Sequence, residues 1–261
     1  MDKVALQSAL FGTSVSELRV FDQIGSTNDE ALHWIDEDAP DFALVIADQQ
    51  TQGRGRLERQ WITRPGASLA FSVILKPSPQ EMSTAVTLFA PLGGLAVWQA
   101  LHDSLRLEPE IKWPNDILLQ RQKCCGILAE AAWSGDQLNG IVLGIGLNIT
   151  TDSLPPDAET RFPATWLEKH TDEPVDRFDL LAQVLDELQY WRTHLGSPEF
   201  FSAWQEHLAF KGEVVSIVEN ENSSIIGTEE GIDASGSLII KNAAGENVTI
   251  AVGDVSLRSN E

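Results

Sequence analysis

Four arginines, Arg54, Arg56, Arg59 and Arg64, fall within eleven residues of a chain that has only 18 basic side chains against 39 acidic ones. Gly53 and Gly55 break the run. Glycine lets a backbone approach a ligand closely, and guanidinium forks grip phosphate or carboxylate oxygens in pairs, so this loop suits an anionic small molecule. A solvated turn with its arginines paired to surface carboxylates has the same composition, and the loop alone does not separate the two. It lacks the Gly-Lys-Ser/Thr ending of a P-loop, so any phosphate is held in another geometry. Further along, Lys112-Trp113-Pro114-Asn115-Asp116 gathers a cation, a backbone break and two oxygen-bearing side chains. Asn115 and Asp116 can accept a hydrogen bond, face a metal-bound water, or close an Asx-turn after the proline. Lys123 stands before Cys124-Cys125-Gly126, and Gly144-Ile145-Gly146-Leu147-Asn148 leaves two positions without side chains in an apolar run. Such a run marks a bulge, a close packing contact, or a ligand lying on the backbone.

Periodicity and punctuation supply the elements that must carry these residues. Ser26-Thr27-Asn28-Asp29-Glu30 reads as a helix start, with Thr27 as cap and Glu30 completing a capping box, the helix running to about Asp36. Ala43 to Ala47 is a buried strand that delivers the arginine loop, and Ser68 to Lys76 is the next strand. Ser83 to Leu101 is uncharged over 19 residues, but its Ser, Thr, Pro, Gly and Gln content fits a buried helix rather than a membrane span. Glu110 to Gln120 predicts two short strands broken at Pro114, and Gly126 to Ala132 and Gly140 to Thr150 predict a strand pair. Four prolines between Thr151 and Arg177 predict an irregular connection. Phe178 to Trp191 follows as an amphipathic helix, and a second helical segment lies around Phe200 to Leu208. From Gly212 onward short β-rich runs between Gly, Asn and Asp turns predict a small β-barrel.

The net charge of −21 disfavours a general binder of phosphate backbones. The first twenty residues carry no charged segment followed by a long apolar run, so no export signal is read and a cytoplasmic location is expected. The only cysteines, Cys124 and Cys125, are adjacent, which suits neither a structural disulfide nor a metal site and fits a reducing compartment.

Six segments in one order carry a resemblance: Ser26-Thr27-Asn28, Gln50-Thr51-Gln52-Gly53-Arg54-Gly55-Arg56, Lys112 to Asp116, Lys123 with Gly126-Ile127-Leu128, Gly144 to Asn148, and Gly253-Asp254-Val255-Ser256-Leu257-Arg258. With them the chain resembles the biotin protein ligases over nearly its whole length. The resemblance implies an α+β fold, with a mixed-sheet catalytic domain over 1–210 followed by a small SH3-like β-barrel over 211–261. It implies an enzyme that joins biotin to ATP as biotinoyl-5′-AMP and passes the biotinyl group to one lysine of a biotin carboxyl carrier domain, with Mg²⁺ bridging the phosphates.

By the same resemblance Ser26, Thr27, Gln50, Gly53, Arg54, Arg56, Lys123, Gly126 and Gly144 would bind biotin. Arg56, Arg59, Trp61, Lys112, Asn115 and Asn148 would bind ATP, with Trp61 against the adenine and Asn148 and Asp116 near the metal. Lys123, Arg54, Arg56 and Asp116 would carry the chemistry, Asp116 as acceptor of the attacking lysine's proton. Residues 53 to 60 are expected to be mobile when empty and ordered over the intermediate. Glu58 replaces the family's usual glycine and sets a carboxylate among the arginines. About 25 residues precede Ser26, too few for a winged helix-turn-helix, so no DNA-binding domain and no membrane segment are expected, and a homodimer is left open. A lipoyl or octanoyl ligase or transferase is the nearest rival, and a nonenzymatic adaptor is a rival of another class.

Overall fold

The computed structural model describes the chain except for residues 57–58, 79–80, 82–85, 155–161, 221–222, 252 and 258–261, with backbone alone at 219–220, 223 and 256–257. Glu58, Leu57 and Arg258 thus lie outside the described residues. The larger part is a seven-stranded mixed sheet in the order β1-β2-β3-β7-β6-β5-β4. Its strands are β1 (Leu18–Ile24), β2 (Ala43–Gln50), β3 (Ser68–Leu75), β4 (Glu110–Lys112), β5 (Asp116–Leu119), β6 (Gln122–Ser134) and β7 (Gln137–Asn148). Only β1 and β2 run parallel, joined through helix α2 (Thr27–Asp36).

Helices cover both faces, so the central strands read as continuous apolar runs: all of β3 is buried. Side chains alternate across a strand, and the two cores sort by that period. Leu69, Phe71, Val73 and Leu75 of β3, with Ile141, Leu143, Ile145 and Leu147 of β7, join the large core shared with α3 (Phe89–Leu105) and α4 (Arg177–Thr193). Ile74 and Val142 instead meet Ala31, Trp34 and Ile35 of α2 in a small core on the other face. Toward the β2 and β7 carboxyl ends that second face changes composition. Ala70 pairs with Gly146 and Ser72 with Gly144 across β3 and β7, and Gly146 pairs with Gly126 across β7 and β6. Three strands in a row thus carry side chains no larger than serine there, and the face is left hollow beside the start of α2.

Helix α2 is capped by Ser26, whose hydroxyl accepts from the Asp29 N–H at 3.4 Å, and not by Thr27 as the sequence predicts. Thr27 is the first helical residue and turns its hydroxyl toward Gln50, while Glu30 is drawn to Arg19 at 2.9 Å instead of closing a capping box. Two N-terminal elements had no sequence signal: α1 (Lys3–Ala9), capped by Asp2, and edge strand β1. The break at Pro114 separates β4 from β5 as expected, and the irregular connection contains 3-10 turns at Thr151–Ser153 and Leu167–Lys169.

Helix α5 (Pro198–Glu206) leads into a five-stranded antiparallel sheet, order β11-β10-β9-β8-β12, formed by β8 (Val214–Asn220), β9 (Ser223–Ile232), β10 (Leu238–Lys241), β11 (Asn247–Ile250) and β12 (Asp254–Leu257). Polar ties join it to the larger sheet, among them Trp113 Nε1 donating to Gly236 O at 3.0 Å and Arg121 to Glu213 at 2.7 Å.

Candidate functional site

The hollow beside α2 is a cavity of about 570 Å³. Every residue to which the resemblance assigns binding or catalysis lines it, except Gly53, and of the four clustered arginines Arg64 does not line it. Gly53 closes the stem of the arginine loop, its carbonyl accepting from Trp61 N at 2.9 Å, with Arg54 and Gln60 bridged one step further out. A Cβ on Gly53 would run into the Trp61 carbonyl, so only glycine allows the stem to close this tightly. The indole of Trp61, expected beside the adenine, lies on Gly126 and Gly146, with the Lys123 ammonium 5.6 Å from its ring centre.

The floor is polar and connected. Gln50 Oε1 accepts from the Thr27 N–H at 2.7 Å and lies 3.1 Å from the Thr27 hydroxyl. Ser72 Oγ sits 2.8 Å from that hydroxyl and donates to Asn28 Oδ1 at 2.6 Å. The Asn28 amide nitrogen donates to Glu130 at 2.7 Å and to Leu128 O at 3.3 Å. Glu130 in turn accepts both forks of Arg54 at 2.8 Å, and Asp29 takes a third contact at 2.6 Å. Burial disfavours the Arg54 charge, but Glu130 and Asp29 outweigh it and hold its pKa above the ordinary value.

The opposite wall carries the other cations. Lys112 is 2% exposed and holds Asp254 Oδ1 at 2.7 Å and Asp116 Oδ2 at 3.5 Å. Asp116 also accepts from Lys123 Nζ at 2.6 Å, so one carboxylate stands between two ammonium groups. Asp254, at the start of β12, takes Arg59 on its other oxygen at 2.7 Å. Burial would raise the Asp254 carboxyl, yet Lys112 and Arg59 pull it down to about 2. Arg56 is different: among the described residues its guanidinium donates to neutral oxygens alone, Asn115 Oδ1 and Gly253 O, each at 3.3 Å. Burial, with the neighbouring Arg59, lowers its pKa against the pull of Asp254 and Asp116. Arg54 and Arg59 thus answer to the paired-turn reading, whereas Arg56 makes no direct contact with a carboxylate among the described residues.

Asn115 is fixed by its amide nitrogen on Ile127 O at 2.6 Å, and Asn148 by its own on Thr165 O at 3.0 Å. The latter leaves the Asn148 amide oxygen as a donor for a cation. Both oxygens of Asp116 already face lysines, and no cluster of three or more His, Cys, Asp or Glu suited to a metal occurs among the described residues. A cation that keeps its waters and arrives on phosphate oxygens, as Mg²⁺ does, fits this donor set at Asn148; a protein cage does not. Both thiols are buried and free; burial pushes Cys124 up to about 12 and Cys125 well above the usual thiol range, so neither is a nucleophile.

Sequence reasoning left five participants without a binding or catalytic role: Asn28, Asp29, Ser72, Glu130 and Asp254. Ser72 was hidden inside an apolar strand, where a buried serine between Phe71 and Val73 was the available signal. Glu130 and Asp254 sit far along the chain from the arginines they hold; Asp254 was carried only as a member of the closing Gly253 to Arg258 segment, and Glu130 left no local signal.

A glycine-floored cavity on a mixed sheet, with a polar bed at one end and arginines and lysines at the other, defines a protein built to take a ligand that is polar at one end and anionic at the other. Residues 20–148 match the biotin/lipoate A/B protein ligase family, and residues 212–258 match the biotin protein ligase C-terminal domain. The biotin–[acetyl-CoA-carboxylase] ligase of Paracoccus denitrificans is 33% identical over 234 residues, covering 85% of this chain and 93% of that protein. The bifunctional ligase/repressor BirA of Bacillus subtilis is 31% identical over 229 residues, 86% of this chain and 69% of its own. The biotin protein ligase from Aquifex aeolicus, solved in complex with biotin and ATP, superposes with a TM-score of 0.78 at 29% identity over 93% of this chain and 99% of that one. The chain belongs to this family, as a biotin protein ligase with both a catalytic and a C-terminal domain.

Proposed function

We propose that this chain activates biotin with ATP as biotinoyl-5′-AMP, releasing pyrophosphate, and transfers the biotinyl group to a lysine of a biotin carboxyl carrier domain. Residues 1–210 form the catalytic domain in this reading and 211–261 the C-terminal one. The observation that carries it is the meeting, in one cavity, of the Thr27–Gln50 bed with Lys123 and with Arg56, which contacts no carboxylate directly among the described residues. A ureido ring is neutral and polar, so its burial requires donors and acceptors, which Ser26, Thr27 and Gln50 supply. Both reacting groups are anions, and a carboxylate approaches an α-phosphate only where positive charge offsets their repulsion. Lys123 lies between the two, and Arg56 takes the phosphate side. Arg54, Arg59, Lys112 and Asn115 border the nucleotide, and Gly126 and Gly144 border the biotin. Mg²⁺ held at Asn148 would shield phosphate charge. The arginine loop, through its described residues 53–56 and 59–60, would cover the mixed anhydride, which water would otherwise hydrolyse.

In the transfer step Asp116 accepts the proton of the incoming amine. Asp116→Asn then slows transfer more than adenylation, measured as separate half-reactions; equal loss in both leaves Asp116 as the counter-charge of Lys112 and Lys123 alone. The reaction belongs in the cytoplasm, where free buried thiols persist, and no helix among the described residues is long and apolar enough to cross a membrane. The deciding measurement is ATP–pyrophosphate exchange with biotin, lipoate or octanoate as the sole acid, for the parent chain and Lys123→Ala. Exchange with biotin alone, lost in the variant, is expected. Stimulation by lipoate or octanoate transfers the assignment to a lipoyl or octanoyl ligase, and no exchange with any acid makes the chain a binding protein.

A further inference from the structure

Glu130, on β6, belongs to none of the segments that mark the family in this sequence, yet it joins the Asn28 end of the bed to the arginine loop, alongside the separate contact of Asp29 with Arg54 at 2.6 Å. On one side it accepts from the Asn28 amide nitrogen at 2.7 Å. On the other it takes the Arg54 guanidinium bidentately, at 2.8 Å on each oxygen. Behind Asn28 the chain of hydrogen bonds continues through Ser72 and Thr27 to Gln50. The orientation of Asn28 is set, because its nitrogen has the carboxylate and Leu128 O to donate to while its oxygen meets a hydroxyl. The Asn28 carboxamide also lies over Gly144, filling the space a Cβ there would take. Asn28 is buried, so it has no solvent to replace a lost partner. Arg54 stands in the stem of the arginine loop, bridged to Gln60 just ahead of Trp61.

We propose that Glu130 is a positioning residue that couples the biotin-facing bed to the arginine loop. Through Asn28 it is anchored to the bed, and through Arg54 it fixes the stem from which Arg56, Arg59 and Trp61 are presented. Disturbance of the bed therefore reaches the loop by hydrogen bonds alone, with no movement of the sheet. This rests on the ligase reading above for its effect on substrates, but the tether itself stands on the geometry of Arg54, Glu130 and Asn28.

The test is a double-mutant cycle of Glu130→Gln and Arg54→Ala, read by biotin-dependent ATP–pyrophosphate exchange and by release of preformed biotinoyl-5′-AMP. Limited trypsin cleavage after the loop arginines of the ligand-free chain runs in parallel. Glutamine keeps an acceptor for Asn28 but loses the charged fork. Glu130→Gln alone is expected to lower kcat/KM for ATP about tenfold, to speed adenylate release by a similar factor and to quicken cleavage in the loop. In the Arg54→Ala background the same substitution should cost less than about twofold, because Arg54→Ala has already removed the Glu130 fork, together with the Asp29 contact. A residue that only props the core would cost as much in both backgrounds, and that result, or cleavage and kinetics unchanged by Glu130→Gln, overturns the proposal. If the parent chain shows no biotin-dependent exchange, the ligase reading fails on its own. The tether is then decided by cleavage alone: quicker cleavage upholds it and equal cleavage overturns it.

Discussion

A methyl group on Gly144 would run into the carboxamide of Asn28, and one on Gly146 would run into the indole of Trp61. The two neighbours differ in what they can yield. Asn28 is buried and bonded at both ends of its amide, whereas Trp61 is partly exposed and its Nε1 has no partner among the described residues. Gly144→Ala is therefore expected to destabilise the fold by about 1–3 kcal/mol, as overpacking of a closed site does, and to weaken biotin binding, read by thermal unfolding and calorimetry. Gly146→Ala should leave stability nearly unchanged while displacing the indole, read as a shift in tryptophan emission. Both glycines stood out in the sequence, because a pair of missing side chains in an apolar strand is a local signal. Their reasons did not, since the atoms each glycine makes room for come from α2 and from the arginine loop, distant in the chain and brought over the sheet only by folding. The same holds for Thr27. Its hydroxyl was legible as a helix cap, a role any neighbouring serine can take, and the tertiary contact to Gln50 decided between the two.

Within the C-terminal sheet, β9 buries Glu229 at 1% exposure, and neither carboxyl oxygen has a hydrogen-bond partner among the described residues. Burial, with Glu213 nearby, pushes its pKa up to about 8 against the pull of Lys112 and Arg121. A neutral acid is the form that such an enclosure tolerates. The folded chain then holds this proton up to about pH 8 while the unfolded chain releases it near the ordinary value of 4.5, so the folded chain binds more protons across that window and stability falls as pH rises through it. The slope contributed is at most about 1.4 kcal/mol per pH unit. Glu229→Gln should remove it: unfolding measured at pH 5 and pH 8 is expected to differ less in the variant, with the variant more stable at pH 8. Element types were otherwise largely readable. The apolar alternation of β8 to β11, the strand pair β6 and β7, and the helical spacing of α4 all rest on local periods that the packed structure preserves. α1 and β1 were not readable. β1 lies at the sheet edge, half exposed along its length, and a charged, mixed sequence such as LRVFDQI carries no clean period of either kind.

Across the molecule, Asp254 gives the small sheet a hand in the site of the large one, since it is the closest counter-charge to Lys112 and the partner of Arg59. Its carboxyl is held at about 2, so its contribution to stability is complete above about pH 4 and is lost as pH falls through about 2. Asp254→Asn should leave Lys112 with Asp116 alone at 3.5 Å, lowering the unfolding free energy at pH 7 by about 1–3 kcal/mol and flattening the acid limb of the stability curve, both measurable by denaturant titration. A structural pair that spans two sheets also limits how freely they can be exchanged. A chimera that joins residues 1–210 to the terminal sheet of a relative would assemble the backbone, yet keep its buried lysine balanced only if the donated last strand begins with an acid. Compatibility between the halves of such hybrids should therefore track one side chain at that junction more closely than overall sequence identity.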